Sequence, residues 1–229
     1  MTDPVVPSQG WGVLHLFCHV GPNTDPQAVQ AALKSSSAEG HQVITAAMLG
    51  HRSDVCFMAL GPNLWRLRQL QGELVRAGLA LSTSYVSLTE VSEYAAGMPE
   101  ERKRPRLYPV LPPEGMPAFC FYPMSRRRDV GQNWFSLPYE KREGLMHAHG
   151  ETGKLYRGRV VQLVTGSAGL DDWEWGVTLF AAKPDDLKDV VYRMRYDEAS
   201  ALYGDFGPFY AGMVADFPQV WEGLGLVGG

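Results

Sequence analysis

FYPMSRRRDVGQNWFSLPYEKREGLMHAHG, residues 121–150, decides how the chain divides. Its first residues finish a short apolar strand, Ala118 to Pro123, and its last, from about Pro138 to His149, carry the spacing of an amphipathic helix. A strand followed by a helix restarts a pattern that the residues before it have already completed once. Upstream, Trp11 to Val20 is a dense run of strand formers. Asp25 is placed to cap a helix whose first residue is Pro26 and which runs to about Ser36. His41 to Leu49 and Val55 to Leu60 flank the turn-rich Gly50 to Asp54, as the arms of a hairpin do. Leu64 to Ala80 repeats Leu64, Leu67, Leu70, Leu74, Val75 and Leu79 at helical spacing, and Ser82 to Tyr94 alternates as a strand.

Downstream the order recurs. Val160 to Thr165 and Trp173 to Ala181 are strands around Gly166-Ser167-Ala168-Gly169. Pro184 to Tyr203 is the longest helical pattern, and Phe209 to Met213 is a last short strand. Each half reads βαββαβ, the ferredoxin-like order, with helices on one face of an antiparallel sheet. The predicted fold class is α+β: tandem ferredoxin-like halves, residues 11–94 and 118–213, whose sheets close edge to edge into a dimeric α+β barrel. Residues 95–117, rich in proline, read as a linker or long crossing loop, and 214–229 as a tail.

Composition narrows the function. The chain has 229 residues, 45% hydrophobic, enough for a real core. A formal net charge of -4 argues against nucleic-acid binding, so any anion site must come from local basic clusters. No apolar run approaches the length of a membrane span, and the first residues do not read as a secretory signal. Cys18, Cys56 and Cys120 are isolated within apolar runs and read as buried free thiols of a cytoplasmic protein.

The chemistry concentrates in the opening stretch. Counting back from His149 on a helical wheel meets Met146, Leu145 and Arg142, so His149 faces the apolar side while His147 points to solvent. Gly150 lets the helix end just beyond His149. A lone imidazole there is either a core histidine or a single ligand to a metal or haem iron; no partner stands at zinc spacing. Tyr122, in an aromatic strand, either packs or reacts. Arg126, Arg127 and Arg128 are either a solvated face or a carboxylate clamp, with Arg104 and Arg106 adding charge from the Pro-rich loop. Gly150 to Lys154 lacks the spacing of a phosphate loop. Gln162, in an apolar strand, either bonds a structural partner or faces a cavity.

Taken together, Tyr122-Pro-Met-Ser-Arg-Arg-Arg, Asn133-Trp-Phe, His149-Gly150, Val161-Gln162, Gly166 to Trp175 and Met194 to Ala201 stand in an order and spacing that resembles the coproheme decarboxylases of the chlorite dismutase-like family. The resemblance is dense from Arg104 to Gly212 and weaker before it. It implies a homopentamer of barrels whose second half binds iron coproporphyrin III. It also implies oxidative decarboxylation of two propionates to vinyls, giving haem b, with hydrogen peroxide as oxidant. His149 matches the axial iron ligand and Tyr122 the tyrosine that takes hydrogen from a propionate. The implied coproheme-binding set is Arg106, Tyr122, Pro123, Met124, Ser125, Arg126, Gln162 and Ser200. Arg126 stands where lysine is common, and Phe135 where tyrosine is usual. Chlorite-decomposing relatives carry arginine at the position of Gln162; an amide cannot supply that charge, which favours the decarboxylase over a chlorite dismutase or a haem-binding, peroxidase-like protein. A transient contact with the coproporphyrin ferrochelatase is implied as well. Tyr122 and His149, on different elements, are expected to line one barrel pocket.

Overall fold

In the computed structural model, which describes residues 3–225, the chain folds into eleven strands and seven helices. The first half runs β1 (Gly12–His19), α1 (Pro26–Ala38), β2 (Gln42–Met48), β3 (Val55–Gly61), α2 (Leu64–Arg76) and β4 (Ala80–Thr89). A connection carrying α3 (Glu100–Leu107) leads to β5 (Ala118–Arg126) and a two-residue hairpin, β6 (Arg128–Asp129) and β7 (Gln132–Asn133). Then follow α4 (Tyr139–Lys154), β8 (Val160–Gly166), β9 (Trp175–Ala181), α5 (Pro184–Met194), α6 (Glu198–Ala201), β10 (Gly204–Phe206), β11 (Tyr210–Val214) and α7 (Phe217–Gly223).

The strand order is β10-β5-β11-β2-β3-β1-β4-β8-β9, and β9 pairs back onto β5. With β10 extending one edge of β5, the other eight strands form a closed ring. Each half contributes four strands in the order fourth, first, third, second: β4-β1-β3-β2 and β11-β5-β9-β8. Closure leaves no long open edge to be covered. Two seams join the halves. β11 and β2 share the pairs Gly212↔Met48, Met213↔Ala47 and Val214↔Ala46, whereas β4 and β8 share only Leu88↔Gly166 and Thr89↔Thr165.

Side-chain alternation along the strands divides the apolar residues between the inside and the outside of the ring. Val13, Phe17, Met58, Leu60, Tyr85, Phe119, Phe121 and Phe180 fill the interior. On the outer face of the first half, Leu14, Leu16, Phe57 and Ala59 meet Val29 and Ala32 of α1 and Leu67, Leu70 and Leu74 of α2. Fully buried Arg66 ties these helices together, with ion pairs to Glu73 at 3.0 Å and Glu39 at 3.1 Å. On the outer face of the second half, Cys120, Tyr122, Val177 and Leu179 meet Leu187 and Val190 of α5. All three cysteines are free and buried.

Several expected boundaries move, each for a local reason. The Pro-rich connection is not structureless: α3 forms there, with Glu100 and Glu101 in its first turn and Arg104 and Arg106 in its last, an arrangement that favours the helix dipole despite Pro105. The strand read from Ser82 to Tyr94 instead starts at Ala80 and stops at Thr89, where the Thr89 hydroxyl donates to the Leu107 carbonyl and the chain leaves the sheet. α4 runs on past Gly150 to Lys154; Gly150 keeps helical backbone, and the positive φ that turns the chain belongs to Gly158. The long pattern from Pro184 to Tyr203 breaks after Met194, and α6 restarts behind Asp197. Val75, expected on the apolar face of α2, is half exposed. The tail holds α7, capped by the Asp216 carboxylate on the Gln219 N–H, and its Phe217 and Val220 close the outer core of the first half.

Candidate active site

Apolar side chains of both halves fill the interior of the ring, and the expected pocket shared by Tyr122 and His149 is not placed there. The cavity lies instead against the outer face of the second-half sheet, beneath α4 and the connection that carries α3. Register fixes what that face presents. Tyr122, Val177 and Val164 lie abreast on β5, β9 and β8; Met124, Trp175 and Gly166 form the next row, and Cys120, Leu179 and Gln162 the row on the other side. Tyr122 and Gln162 are thus two strands and one row apart, about 12 Å across a pleated sheet.

Two adjoining spaces open on this face. The larger, of about 700 Å³, is bounded by the sheet, by Met146 and His149 of α4, by Trp134 and Phe135, and by Glu90 to Tyr94, Pro105, Arg106 and Pro109 to Leu111 of the connection. The smaller, of about 50 Å³, reaches under α5 between Tyr122, Leu179, Val190, Met194, Arg195, Ser200 and Phe206. Met124, Arg126, His149 and Gln162 border both. Mostly apolar walls with a few convergent polar groups suit a large flat ligand with charged edges.

α4 forms one wall because it stands off the sheet. Its main contacts are with α5, α6 and the turn at Glu93–Ala95, and of its sixteen residues only Leu145 is buried. An amphipathic helix normally buries a stripe; here the stripe that Met146 and His149 occupy faces the cavity. The His147 side chain is 78% exposed and that of His149 only 22%. His149 Nδ1 lies 3.2 Å from Asp197 Oδ2, and the other Asp197 oxygen accepts the Thr152 hydroxyl at 2.8 Å. A carboxylate facing Nδ1 leaves Nε2 as the nitrogen free to bind. Burial and the nearby Arg126 charge lower the His149 pKa, against the opposing pull of Asp197, which favours the neutral ligating form.

Tyr122 is buried in an aromatic clamp, stacked on Phe209 with ring centroids 4.5 Å apart and leaning on Phe206 at 6.0 Å. Burial raises its pKa, so the phenol keeps its proton at neutral pH. Arg126 is no flexible rim cation: it is buried, donates to the Ala199 carbonyl and to Met146 Sδ at 3.1 Å, and lies 4.4 Å over the Trp134 ring. Burial lowers its pKa to about 10, leaving it charged. Ser200, near the start of α6, and Arg106, whose guanidinium donates to Met98 Sδ, also reach the two spaces.

Pro123 and Ser125 are not brought to the cavity. They alternate to the opposite face of β5, where Ser125 Oγ accepts the Glu174 N–H at 3.1 Å. Arg127 and Arg128 likewise point away, Arg127 to Gln132 and Arg128 to Glu174 at 3.8 Å. Four groups the sequence reading did not assign do belong to the site. Arg195 sits 5.5 Å over the Phe206 ring at the deep end, Asp197 and Thr152 brace His149, and Glu90 lies at the mouth. Asp197 stood within a motif already singled out; Thr152 fell beyond the expected end of its helix. Among the described residues, no group of three or more acidic, histidine or cysteine side chains could hold a bare metal ion, and no helix is long and apolar enough to cross a membrane.

Comparison with known proteins gives a consistent picture. A family profile described as chlorite dismutase matches residues 25–215. A coproheme decarboxylase of Thermus thermophilus is 37% identical, over 98% of both chains. A coproheme decarboxylase of Staphylococcus saprophyticus is 44% identical over 72% of this chain and 70% of its own. Among solved structures, a heme-binding protein from Thermus thermophilus superposes with a TM-score of 0.83 at 36% identity, covering 95% of this chain and 96% of that one. A mutant chlorite dismutase of Candidatus Nitrospira defluvii shares the fold with a TM-score of 0.74 at 18% identity over the same shares.

Proposed function

This chain belongs to the chlorite dismutase family, and within it we propose that the protein is a coproheme decarboxylase, converting two propionates of iron coproporphyrin III to vinyls and giving haem b with hydrogen peroxide as oxidant. The observation that carries this reading is the meeting of His149, Arg126 and Gln162 where the two adjoining spaces join, with Tyr122 lining the smaller of them, in a chain whose relatives bear that name.

The residues suit the substrate. A flat macrocycle needs the apolar floor of Val164, Val177 and Met124, and its carboxylates need Arg126, Arg106 and Ser200. His149, braced by Asp197, would hold the iron through Nε2, and Gln162 borders the cavity from the sheet. The bound iron, with peroxide, supplies the oxidising power. Tyr122 would give a proton and an electron to the peroxide oxidant and then take a hydrogen atom from the propionate carbon next to the ring. The carbon radical left behind would give its remaining electron to the same oxidant as carbon dioxide departs, so that each vinyl formed consumes one peroxide and one solvent proton and yields two waters. Phe206 and Phe209 hold the phenol in place while this happens. Gln162 supports decarboxylation over chlorite chemistry because an amide offers no cation to a reactive oxyanion. A homopentamer, a cytoplasmic setting and a transient contact with the coproporphyrin ferrochelatase are part of the same reading.

Tyr122→Phe is expected to bind coproheme, seen as a Soret shift, but to lose decarboxylation by a factor of at least ~100. Mass spectrometry of the porphyrin after peroxide addition is the check. Full conversion by this variant would remove the assignment, as would the absence of any Soret shift on mixing coproheme with the unaltered protein.

A further inference from the structure

A cavity for a ligand with four carboxylates carries an uncompensated acid of its own. Glu90, the first residue after β4, lines the larger space, and Glu93 lies three residues further along the same wall. Glu93 is matched by Arg142 at 3.2 Å, and nearby Glu174 by Arg128 at 3.8 Å. Among the described residues, no cation stands within ion-pair distance of Glu90. Its one side-chain partner is the Trp175 indole, which donates to Oε1 at 3.0 Å. Its place is also built from below: a side chain at Gly166 would collide with the Glu90 carboxylate. A glycine, an indole N–H and the end of a strand thus hold a lone carboxylate at the seam between β4 and β8. Its position is beside the row of Met124 and Trp175 and across the cavity from α4.

Resting on the function argued above, we propose that Glu90 is a specificity-determining residue. It repels a carboxylate on the substituent lodged at the β4–β8 corner and so favours a tetrapyrrole edge that has lost one. Each pyrrole of coproporphyrin III carries a propionate beside its methyl group, so whichever ring lies nearest this corner brings a propionate to it. In haem b the two vinyl-bearing rings can occupy it instead. The charge therefore opposes the substrate and spares the product edge, and with Arg126 and Arg106 it gives the cavity a sense of direction. Like charges brought together in a cavity from which a bound ligand has displaced water interact far more strongly than in bulk solvent.

The test is binding without peroxide, at pH 8, by Soret titration of coproheme and of haem b to the full-length protein, to Glu90→Gln and to Glu222→Gln, an exposed acid of α7 that lines neither space. Glutamine at residue 90 keeps an acceptor for the Trp175 N–H and removes only the charge. Glu90→Gln is expected to raise the ratio of coproheme to haem b affinity by about three- to tenfold, and Glu222→Gln to leave it within about twofold. An unchanged ratio in Glu90→Gln, or an equal rise in both variants, overturns the inference while the function stands. Failure of the unaltered protein to bind coproheme overturns the function and this inference with it.

Discussion

His15 shows how a single side chain reports on the interior. It is wholly buried inside the ring, its Nε2 3.0 Å from Thr178 Oγ1 and its ring 4.2 Å from that of Phe121, while Nδ1 has no partner. Burial lowers its pKa from 6.5 to about 3. The unfolded chain therefore takes up a proton below pH 6.5 that the folded chain refuses. The full stability at this site is present above pH 6.5 and declines by roughly 1.4 kcal/mol per pH unit as pH falls toward 3. His15→Gln removes that titration and keeps a hydrogen-bonding side chain. Its urea midpoint should fall less between pH 7 and pH 5 than that of the unaltered protein, and parallel declines would show that His15 is not the group responsible. At this scale the sequence was informative where a residue's own face decided the matter: the wheel separated His149 from His147, whereas an amide in an apolar strand left Gln162 open between a structural partner and a cavity until the register put it on the cavity face. It was silent where meaning comes from a distant neighbour. Nothing local in Glu90 announces Trp175, 85 residues away, nor in Asp197 announces Thr152.

α4 is an element built against its own interest. It holds Gly144, Gly150 and Gly153 in one helix and buries a single side chain. Each glycine costs about 1 kcal/mol relative to alanine in a helix interior. A methyl group at residue 144 would meet nothing, and its backbone needs no positive φ. Gly144→Ala should thus stabilise the protein by about 0.5–1 kcal/mol and raise Tm by roughly 1–4 °C; calorimetry of the ligand-free chain decides it, and an unchanged or lower Tm would mean that the helix gains nothing from the alanine. The helix itself was plain from periodicity, but its end was not, since a glycine ends a helix only where the backbone must turn left-handed. Periodicity also merged α5 and α6 across Arg195 to Asp197, the break that aims Asp197 at His149. The connection hid α3 because its signal lies in charges at the two ends of a helix rather than in an apolar stripe.

On the scale of the whole molecule the repeat was legible, because two successive strand–helix–strand–strand–helix–strand patterns need only local periodicity to be seen. Which face would hold the cavity was not, because that depends on how far each helix stands from its sheet. The β4–β8 seam is a second feature of this kind. Having only two residue pairs, it is fastened by side chains: Ser87 to Thr165 at 2.8 Å, Tyr85 to Ser167, and the Val86 N–H to Asp171 at 3.0 Å. Thr165→Val conserves shape, strands the buried Ser87 hydroxyl and should cost about 1–3 kcal/mol. A drop in the urea midpoint at unchanged slope is the expected signature, and an unchanged midpoint would mean that the seam does not depend on that bond.

Both seams join a fourth strand of one half to a second strand of the other, so the ring has an approximate twofold axis. A chain of one half, paired with its own copy, would close the same ring. Such a pair would be obliged to treat both helical layers alike, filling both or opening both. Joining the halves in one polypeptide lifts that obligation. α1 lies packed on its sheet through Val29 and Ala32, while its counterpart α4 is held away. One layer can carry the stability of the molecule, and the other is released to exchange packing for a vacancy of chosen shape.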